Sequence, residues 1–133
     1  MKTFWFGSIA AMALSGAGTV AAQAAEAQRF QLDGLNVTVF AHAFLSEEEL
    51  MTLRLVGQNR DALGVFVPEG GGFAALAVAP DEGFVRAGLP VDSATALSGL
   101  PDLETARQAV LESCDSLRSS STPCEVVLEI APQ

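Results

Sequence analysis

The stretch DLETARQAVLESCDSLRSSSTPCEVVLEI, from Asp102 to Ile130, decides the fold. Apolar residues recur at helical spacing after an N-cap at Asp102, which predicts an amphipathic helix with one buried stripe. The stripe comprises Leu103, Ala106, Val110, Cys114 and Leu117. A serine-rich loop follows, and Pro123 bars further helix. The final segment alternates in a period of two, which predicts a strand. Its apolar face comprises Cys124, Val126, Leu128 and Ile130, against Glu125, Val127 and Glu129.

Both cysteines of the chain lie in this stretch. Cys114 lies on the buried stripe of the predicted helix and Cys124 on the apolar face of the predicted strand, so both point into the layer between these elements. We predict that they form a structural disulfide, as is usual for exported proteins. A structural zinc site would need four Cys or His ligands, and His42 is the only histidine. A redox pair usually has Cys-x-x-Cys spacing, which this pair lacks.

Residues 1–27 are predicted to be a secretory signal peptide. Lys2 precedes an apolar stretch rich in Ala and Gly, and small-x-small cleavage sites end at Ala24 and Ala27. Polar and glycine residues within the stretch disfavour a membrane anchor, so we expect no stable membrane span after cleavage. The protein is therefore expected to be exported, to the periplasm or out of the cell, with residues 28–133 forming one small domain.

The chain is acidic, with 7 Lys and Arg against 16 Asp and Glu and a formal net charge of −9. Lys2, the only lysine, and Trp5, the only tryptophan, leave with the signal peptide. An acidic domain repels nucleic acid, so no nucleic-acid partner is expected. The charge either keeps the protein soluble or suits a basic protein or a cation.

The remaining segments complete an α+β fold. Asp33-Gly34 is a favoured hairpin turn between two strands in residues 29–44. Ser46 and Glu49 form a capping box at the start of a short helix that ends near Gly57. Residues 62–90 predict two or three antiparallel strands with turns at 68–72 and 81–83, and residues 91–99 predict a short helical turn. We predict an antiparallel sheet of about five strands with two helices on it and one disulfide.

Candidate catalytic groups are few. His42 is the only imidazole base, and it lacks an evident nucleophile, an orienting acid or a Gly-x-Ser-x-Gly motif. The acidic triplet Glu47–Glu49 lies in the first turn of a predicted helix, where the helix dipole favours negative charge. The run Gly70–Gly72 is followed by a predicted strand, whereas a glycine-rich phosphate site is followed by a helix. The pair Asp81-Glu82 lies in a predicted turn.

We therefore predict a non-enzymatic binding or interaction module, without catalytic, cofactor or metal residues. Its partner is expected to be a protein or small molecule of the cell envelope, and the module itself a monomer. Two alternatives stay open: a small envelope hydrolase using His42, and an acidic factor that binds cations or basic proteins.

Three segments of the second half of the chain are similar to segments of other proteins: FAALAVAPDEGFVRAG, ETARQAVLESC and PCEVVLEIAP. On these, the second half of the chain resembles small exported alphaproteobacterial proteins of unknown function, some of which bear the name 5-aminolevulinate synthase. That enzyme holds pyridoxal phosphate through a lysine Schiff base. Because Lys2 lies in the predicted signal peptide, we expect the chain to lack that activity.

Overall fold

The computed structural model describes residues 25–133; residues 1–24, with most of the predicted signal peptide and Ala24, lie outside the described residues. The described chain forms ten elements in sequence order. They are β1 (Glu26–Leu32), β2 (Leu35–Ala41), α1 (Glu47–Val56), α2 (Arg60–Phe66), β3 (Phe73–Val78), β4 (Val85–Arg86), β5 (Leu89–Pro90), β6 (Thr95–Leu100), α3 (Leu103–Leu117) and β7 (Glu125–Pro132).

Five strands form one antiparallel sheet in the order β1-β2-β7-β3-β6, and β4 and β5 form a small separate hairpin. The last strand in sequence, β7, lies at the centre of the sheet. Helix α3 covers β3, β6 and β7 on one face, and α1 and α2 cover the opposite face. The predicted α+β fold with a five-stranded antiparallel sheet and one disulfide is confirmed.

Three differences from the predictions concern the elements themselves. The described chain has three helices, because residues 60–66 form α2 after an N-cap at Asn59, whose side chain accepts a hydrogen bond from the Ala62 N–H. Residues 95–99, predicted as part of a helical turn, lie in the edge strand β6. Strand β1 begins at Glu26, within the segment predicted to be removed by cleavage after Ala27.

The predicted local signals at the hairpin and at α1 are confirmed. Asp33 and Gly34 have φ angles of 49° and 83°, as a two-residue turn of type I′ requires. The Ser46 hydroxyl accepts a hydrogen bond from the Glu49 N–H at 3.1 Å, and Glu49 Oε1 accepts one from the Ser46 N–H at 3.0 Å. Glu49 Oε2 also accepts a hydrogen bond from the Phe84 N–H at 3.2 Å, so this carboxylate ties the helix start to the turn after β3.

The sheet separates two apolar layers of different composition. The layer under α1 and α2 is built from large side chains, among them Leu53, Leu76, Phe84 and Leu128. The layer under α3 is built mainly from small ones: Ala75, Ala77, Ala79, Ala106, Val110, Cys114 and Cys124.

A β-bulge in β7 changes which residues share a face. Leu76 is opposite Leu128 and Ala77 is opposite Val126, so Val127 is an extra residue in the ladder. The predicted single apolar face of β7 is therefore wrong. Cys124 and Val126 lie in the α3 layer, whereas Leu128 and Ile130 lie in the opposite layer.

Candidate functional site

Cys114 and Cys124 form the predicted disulfide, with a Cα–Cα distance of 6.2 Å, and both residues are buried. Asp115 reinforces this link. Its Oδ1 accepts hydrogen bonds from Arg118 Nε at 2.7 Å and from the Cys124 N–H at 2.9 Å, and the Cys124 donor is the main cause that lowers the pKa of Asp115. The loop between α3 and β7 is thus fixed both covalently and by a carboxylate.

The predicted pair Asp81-Glu82 fixes the same loop from outside. Glu82 Oε2 accepts hydrogen bonds from the Ser119 N–H and the Ser120 N–H, each at 2.8 Å, and from the Ser120 hydroxyl at 2.9 Å. The buried Ser93 hydroxyl also lies beside this carboxylate, without a hydrogen bond of ordinary geometry. Ser93, Ser120 and Ser119 together lower the pKa of Glu82 from 4.5 to about 2. The hydrogen bonds of Glu82 to this loop therefore explain the position of its carboxylate.

His42 lies just beyond the end of β2 and is partly buried. The β2–β7 ladder ends at the pair Val39 and Leu128, and the Val126 carbonyl lies beyond it. His42 Nε2–H donates a hydrogen bond to that carbonyl at 2.8 Å, and the ring stacks on Phe44 at a centroid distance of 4.9 Å. The imidazole thus takes the place of a backbone donor beside the bulge.

An open groove lies where α3 does not cover the sheet. The side chains of β1 and β2 on this face form its floor, and the first two turns of α3 form its wall, around a volume of about 710 Å³. The groove is lined by Arg29, Gln31, Asn36, Thr38, Phe40, Leu103, Arg107 and Glu129; Phe30 also borders it, although its ring packs in the opposite layer. It combines partly exposed apolar side chains with two guanidinium groups, a composition typical of interfaces.

An ion pair between the partly exposed Arg107 and the buried Glu129 links α3 to β7 at one end of the groove. Glu129 is only 6% exposed, and Arg107 Nε donates a hydrogen bond to its carboxylate. This hydrogen bond is the main cause that raises the pKa of Arg107 above its ordinary value. Arg29 lies on the same transverse row, since it pairs with Thr38 and Thr38 pairs with Glu129. Within residues 25–133, Arg29 forms no ion pair.

The residues of this groove were not predicted as a site. The bulge places Glu129 on the α3 face, and a strictly alternating interpretation of β7 hides that placement. The available signal was the run Val126, Val127 and Leu128, in which three consecutive apolar residues interrupt the alternation.

Two further surface features are present. A small cleft of about 160 Å³ lies between α2 and the turn at residues 68–72, with an apolar wall that includes Leu63, Val67 and Ile130. Gly72 has a φ angle of 59°, and a Cβ there would approach the Leu100 carbonyl oxygen to 2.9 Å, so the turn requires glycine at this position.

The outer face of α1 is the second such feature. Met51 is 64% exposed and Leu55 is 54% exposed. Both lie next to the acidic side chains of Glu47 and Glu48 in a shallow depression. The position of Glu47 and Glu48 is explained by the start of α1. The exposed apolar strip of Met51 and Leu55 beside them was not predicted from the sequence.

Within residues 25–133, no three His, Cys, Asp or Glu side chains cluster in a way that would hold a metal ion. None of the described helices is both long and apolar enough to cross a membrane. Comparisons of the chain with protein-family models, with curated proteins and with solved structures find no match.

Proposed function

We propose that the protein is an exported binding module of the cell envelope that engages a protein partner through the groove beside α3. The observation that carries this proposal is the sheet face of β1 and β2 that α3 leaves uncovered. Most side chains on this face are polar and at least partly exposed, as is common on one face of an antiparallel sheet, so the apolar ones mark the candidate contact. Here Phe40 and Leu103 are partly exposed in that gap.

Charge indicates the kind of partner. Two of the chain's arginines line this one groove, and Glu129 neutralises only Arg107 directly. The groove therefore carries local positive charge in a chain whose formal net charge is −9. Arginine recognises carboxylates through paired N–H donors, so a partner segment with an acidic side chain and apolar neighbours fits the groove.

His42 and the pair Asp81-Glu82, the candidate catalytic groups of the sequence, have structural contacts instead. His42 Nε2 is occupied by the Val126 carbonyl, and its ring is stacked on Phe44. The carboxylates of Asp81 and Glu82 hold Thr122, Ser119 and Ser120 of the loop before β7. These contacts support a binding role over a catalytic one.

Export is part of the proposal, with cleavage after Ala24. Glu26 pairs with Ala41 and Ala27 pairs with Phe40 in the β1–β2 ladder. Cleavage after Ala27 would remove both pairs, whereas cleavage after Ala24 leaves β1 complete. Intact mass of the protein from the envelope, measured after alkylation of free thiols, tests this. We expect a chain that begins at Ala25 and is alkylated only after reduction; an unprocessed, alkylated chain would refute export.

The groove can be tested by cross-linking in cells. A photo-reactive amino acid at Thr38 lies on the groove floor, and one at Ser116, exposed on α3, serves as the control. We expect a discrete cross-linked protein from Thr38 and none from Ser116. Arg29→Glu and Phe40→Ala should remove that product while the disulfide and the circular dichroism spectrum stay unchanged. A product that both variants leave intact, or its absence, would contradict the proposal.

The outer face of α1 supports a second candidate, a surface for a basic protein. The apolar strip of Met51 and Leu55 beside two exposed carboxylates would suit a basic amphipathic segment. The same photo-reactive group at Met51 distinguishes the two surfaces. Cross-links from Met51 that are lost in Glu48→Lys and retained in Arg29→Glu would favour this second surface.

A further inference from the structure

Strand β1 is one of the two edges of the five-stranded sheet. Its 7 residues pair with β2 in one continuous register without a bulge, and the strand contains no proline or glycine. Among residues 25–133, no strand pairs with its outer side. Such an edge is a ready template for another strand.

The turn geometry shows which backbone groups of β1 are available. In a two-residue hairpin the residues that flank the turn exchange hydrogen bonds, so Leu32 and Leu35 form such a pair. Alternation then makes Phe30 and Gln28 the next residues bonded to β2. The N–H and C=O groups of the residues between them point away from the sheet. These residues are Ala27, Arg29 and Gln31.

The opposite edge of the sheet is less regular. Strand β6 contains Gly99, with a φ angle of 75°, and is followed by Pro101. Its register with β3 shifts between Phe73 and Ala75. Bulges, glycine and proline are devices that limit pairing at an edge. Of the two edges, β1 is therefore the one suited to accept a strand.

We propose that the edge of β1 binds an extended segment of the partner protein as a sixth strand, with an acidic side chain opposite Arg29. This inference rests on the proposed function and specifies its binding mode. The side chains of Arg29 and Gln31 line the groove, so an added strand would continue the groove floor and bring its alternate side chains beside Arg29. Main-chain hydrogen bonds would supply affinity, and the ion pair would supply selectivity.

A second copy of this chain is a poorer occupant of the same edge. Two copies of β1 related by a two-fold axis at Arg29 would place that arginine opposite itself, and like charges directly opposite one another destabilise a strand pair. Each copy is also acidic, since the full sequence has a formal net charge of −9, and this opposes association. A segment of a different protein with an acidic residue opposite Arg29 avoids the repulsion between the two arginines and forms an ion pair instead.

The test uses the processed, disulfide-bonded protein and two synthetic peptides, acetyl-Thr-Val-Glu-Val-Thr-amide and its counterpart with central Lys. Amide hydrogen exchange in the free protein should be fast at Ala27, Arg29 and Gln31 and slow at Gln28 and Phe30. The Glu peptide should slow the three outward-facing amides, and the Lys peptide should bind about tenfold more weakly. Arg29→Glu should reverse this preference.

Proline variants separate strand addition from side-chain recognition. Ala27→Pro removes an outward-facing N–H and should keep the fold while weakening peptide binding by about fivefold to tenfold. The matched variant Gln28→Pro removes an N–H that is bonded to β2 and should lower the unfolding midpoint instead. Unchanged peptide binding in Ala27→Pro, or no slowing of the three amides at millimolar peptide, would overturn the inference.

The two proposals fail in different ways. If Ala27→Pro still yields the cross-link from Thr38 and Arg29→Glu does not, the groove binds its partner without strand addition. If neither variant affects the cross-link, the proposed function fails as well. If the three amides are protected in the free protein in a concentration-dependent way and sedimentation shows a dimer, the second copy is the occupant and the inference is wrong.

Discussion

The two faces of the sheet reach stability by different means. Under α1 and α2, large buried side chains such as Leu53, Phe84 and Leu128 interlock without any covalent link. Under α3, the layer is made mostly of alanine, and the helix is tied to β7 by a disulfide and by the Arg107–Glu129 pair. One side relies on apolar burial, and the other on specific links.

The difference follows from side-chain size. Burial stabilises by about 25 cal/mol for each Å² of apolar surface removed from water, so an alanine contributes far less than a leucine. A helix that lies on alanines gains little from burial, and a disulfide and charged hydrogen bonds compensate for this. Substitution of buried apolar side chains should therefore lower stability mainly under α1 and α2. Removal of the disulfide or of the ion pair should lower it mainly under α3.

The largest effect is expected from Leu53→Ala, which empties part of the large-side-chain layer. Leu53 has no exposed surface, and removal of such a side chain typically costs about 2–5 kcal/mol in the free energy of unfolding. Urea denaturation measures this loss. Met51→Ala on the exposed face of the same helix should change stability by less than about 0.5 kcal/mol. Equal losses in both variants would contradict the layer assignment.

Removal of the disulfide should come next. Cys114→Ala with Cys124→Ala opens a loop of sequence separation 10, for which chain entropy gives a loss of about 2.5–3 kcal/mol. We expect the domain to stay folded, because Asp115 and Glu82 still hold the loop. Urea denaturation with unchanged circular dichroism checks both points. A loss below about 1 kcal/mol would show that the non-covalent links suffice.

Arg107→Ala should have a smaller effect. It leaves the buried Glu129 carboxylate without its ion-pair partner, at a cost of about 1–3 kcal/mol. Arg60→Ala, which breaks an exposed pair with Asp33 at 3.6 Å, is the control and should cost less than about 1 kcal/mol. Replacing Arg107 and Glu129 together by leucine should recover most of the loss. No recovery would mean that Arg107 acts by some means other than the pair.

The smallest effect is expected from Glu82→Gln, and it depends on pH. The folded state lowers the pKa of Glu82 from 4.5 to about 2, so its stabilising contribution is complete above pH 4.5 and is lost as the pH falls towards 2. The unfolding midpoint of the wild type should therefore fall more steeply over this range than that of Glu82→Gln. Glu69→Gln, exposed in the turn at 68–72, is the control. Parallel curves for wild type and Glu82→Gln would refute the assignment.

Local signals with a defined chemistry predicted much of the fold. Asp33-Gly34 specified its turn, Ser46 and Glu49 specified the start of α1, and Asp102 specified that of α3. The disulfide was predicted from the helical pattern of α3 and the strand pattern of β7, which each contain one cysteine at a buried position. In each case a short run of residues has one favoured backbone conformation, so no knowledge of distant residues was needed.

The errors arose where distant residues decide the structure. The run from Ala62 to Val67 is apolar and β-branched, as strands often are, but it forms α2 because Asn59 caps it and Leu63 enters the large layer. Residues 95–100 contain Gly99 and small side chains, and they form a strand only because β3 offers an edge. Pairing with a partner strand here overrides weak local preference.

The candidate groove could not be predicted from the sequence for a similar reason. Its residues come from β1, β2, β7 and the start of α3, and only the sheet order brings them together. His42 stands out in the sequence as the only histidine. Its contact with the Val126 carbonyl depends on where the β2–β7 ladder ends, which the pattern of β2 alone does not specify.

The bulge at Val127 has a consequence for how the length of this chain can change. Because Val127 is the extra residue, its deletion would leave Cys124, Val126, Leu128 and Glu129 on the faces they already occupy. Deletion of Val126 or Leu128 would have the same effect on the alternation, because Val127 would move into the vacated position and the bulge would close. A chain that is one residue shorter at the bulge therefore keeps the two faces of β7, and deletion of Val127 itself would remove a buried valine and the bulge beside the Val126 carbonyl that His42 contacts.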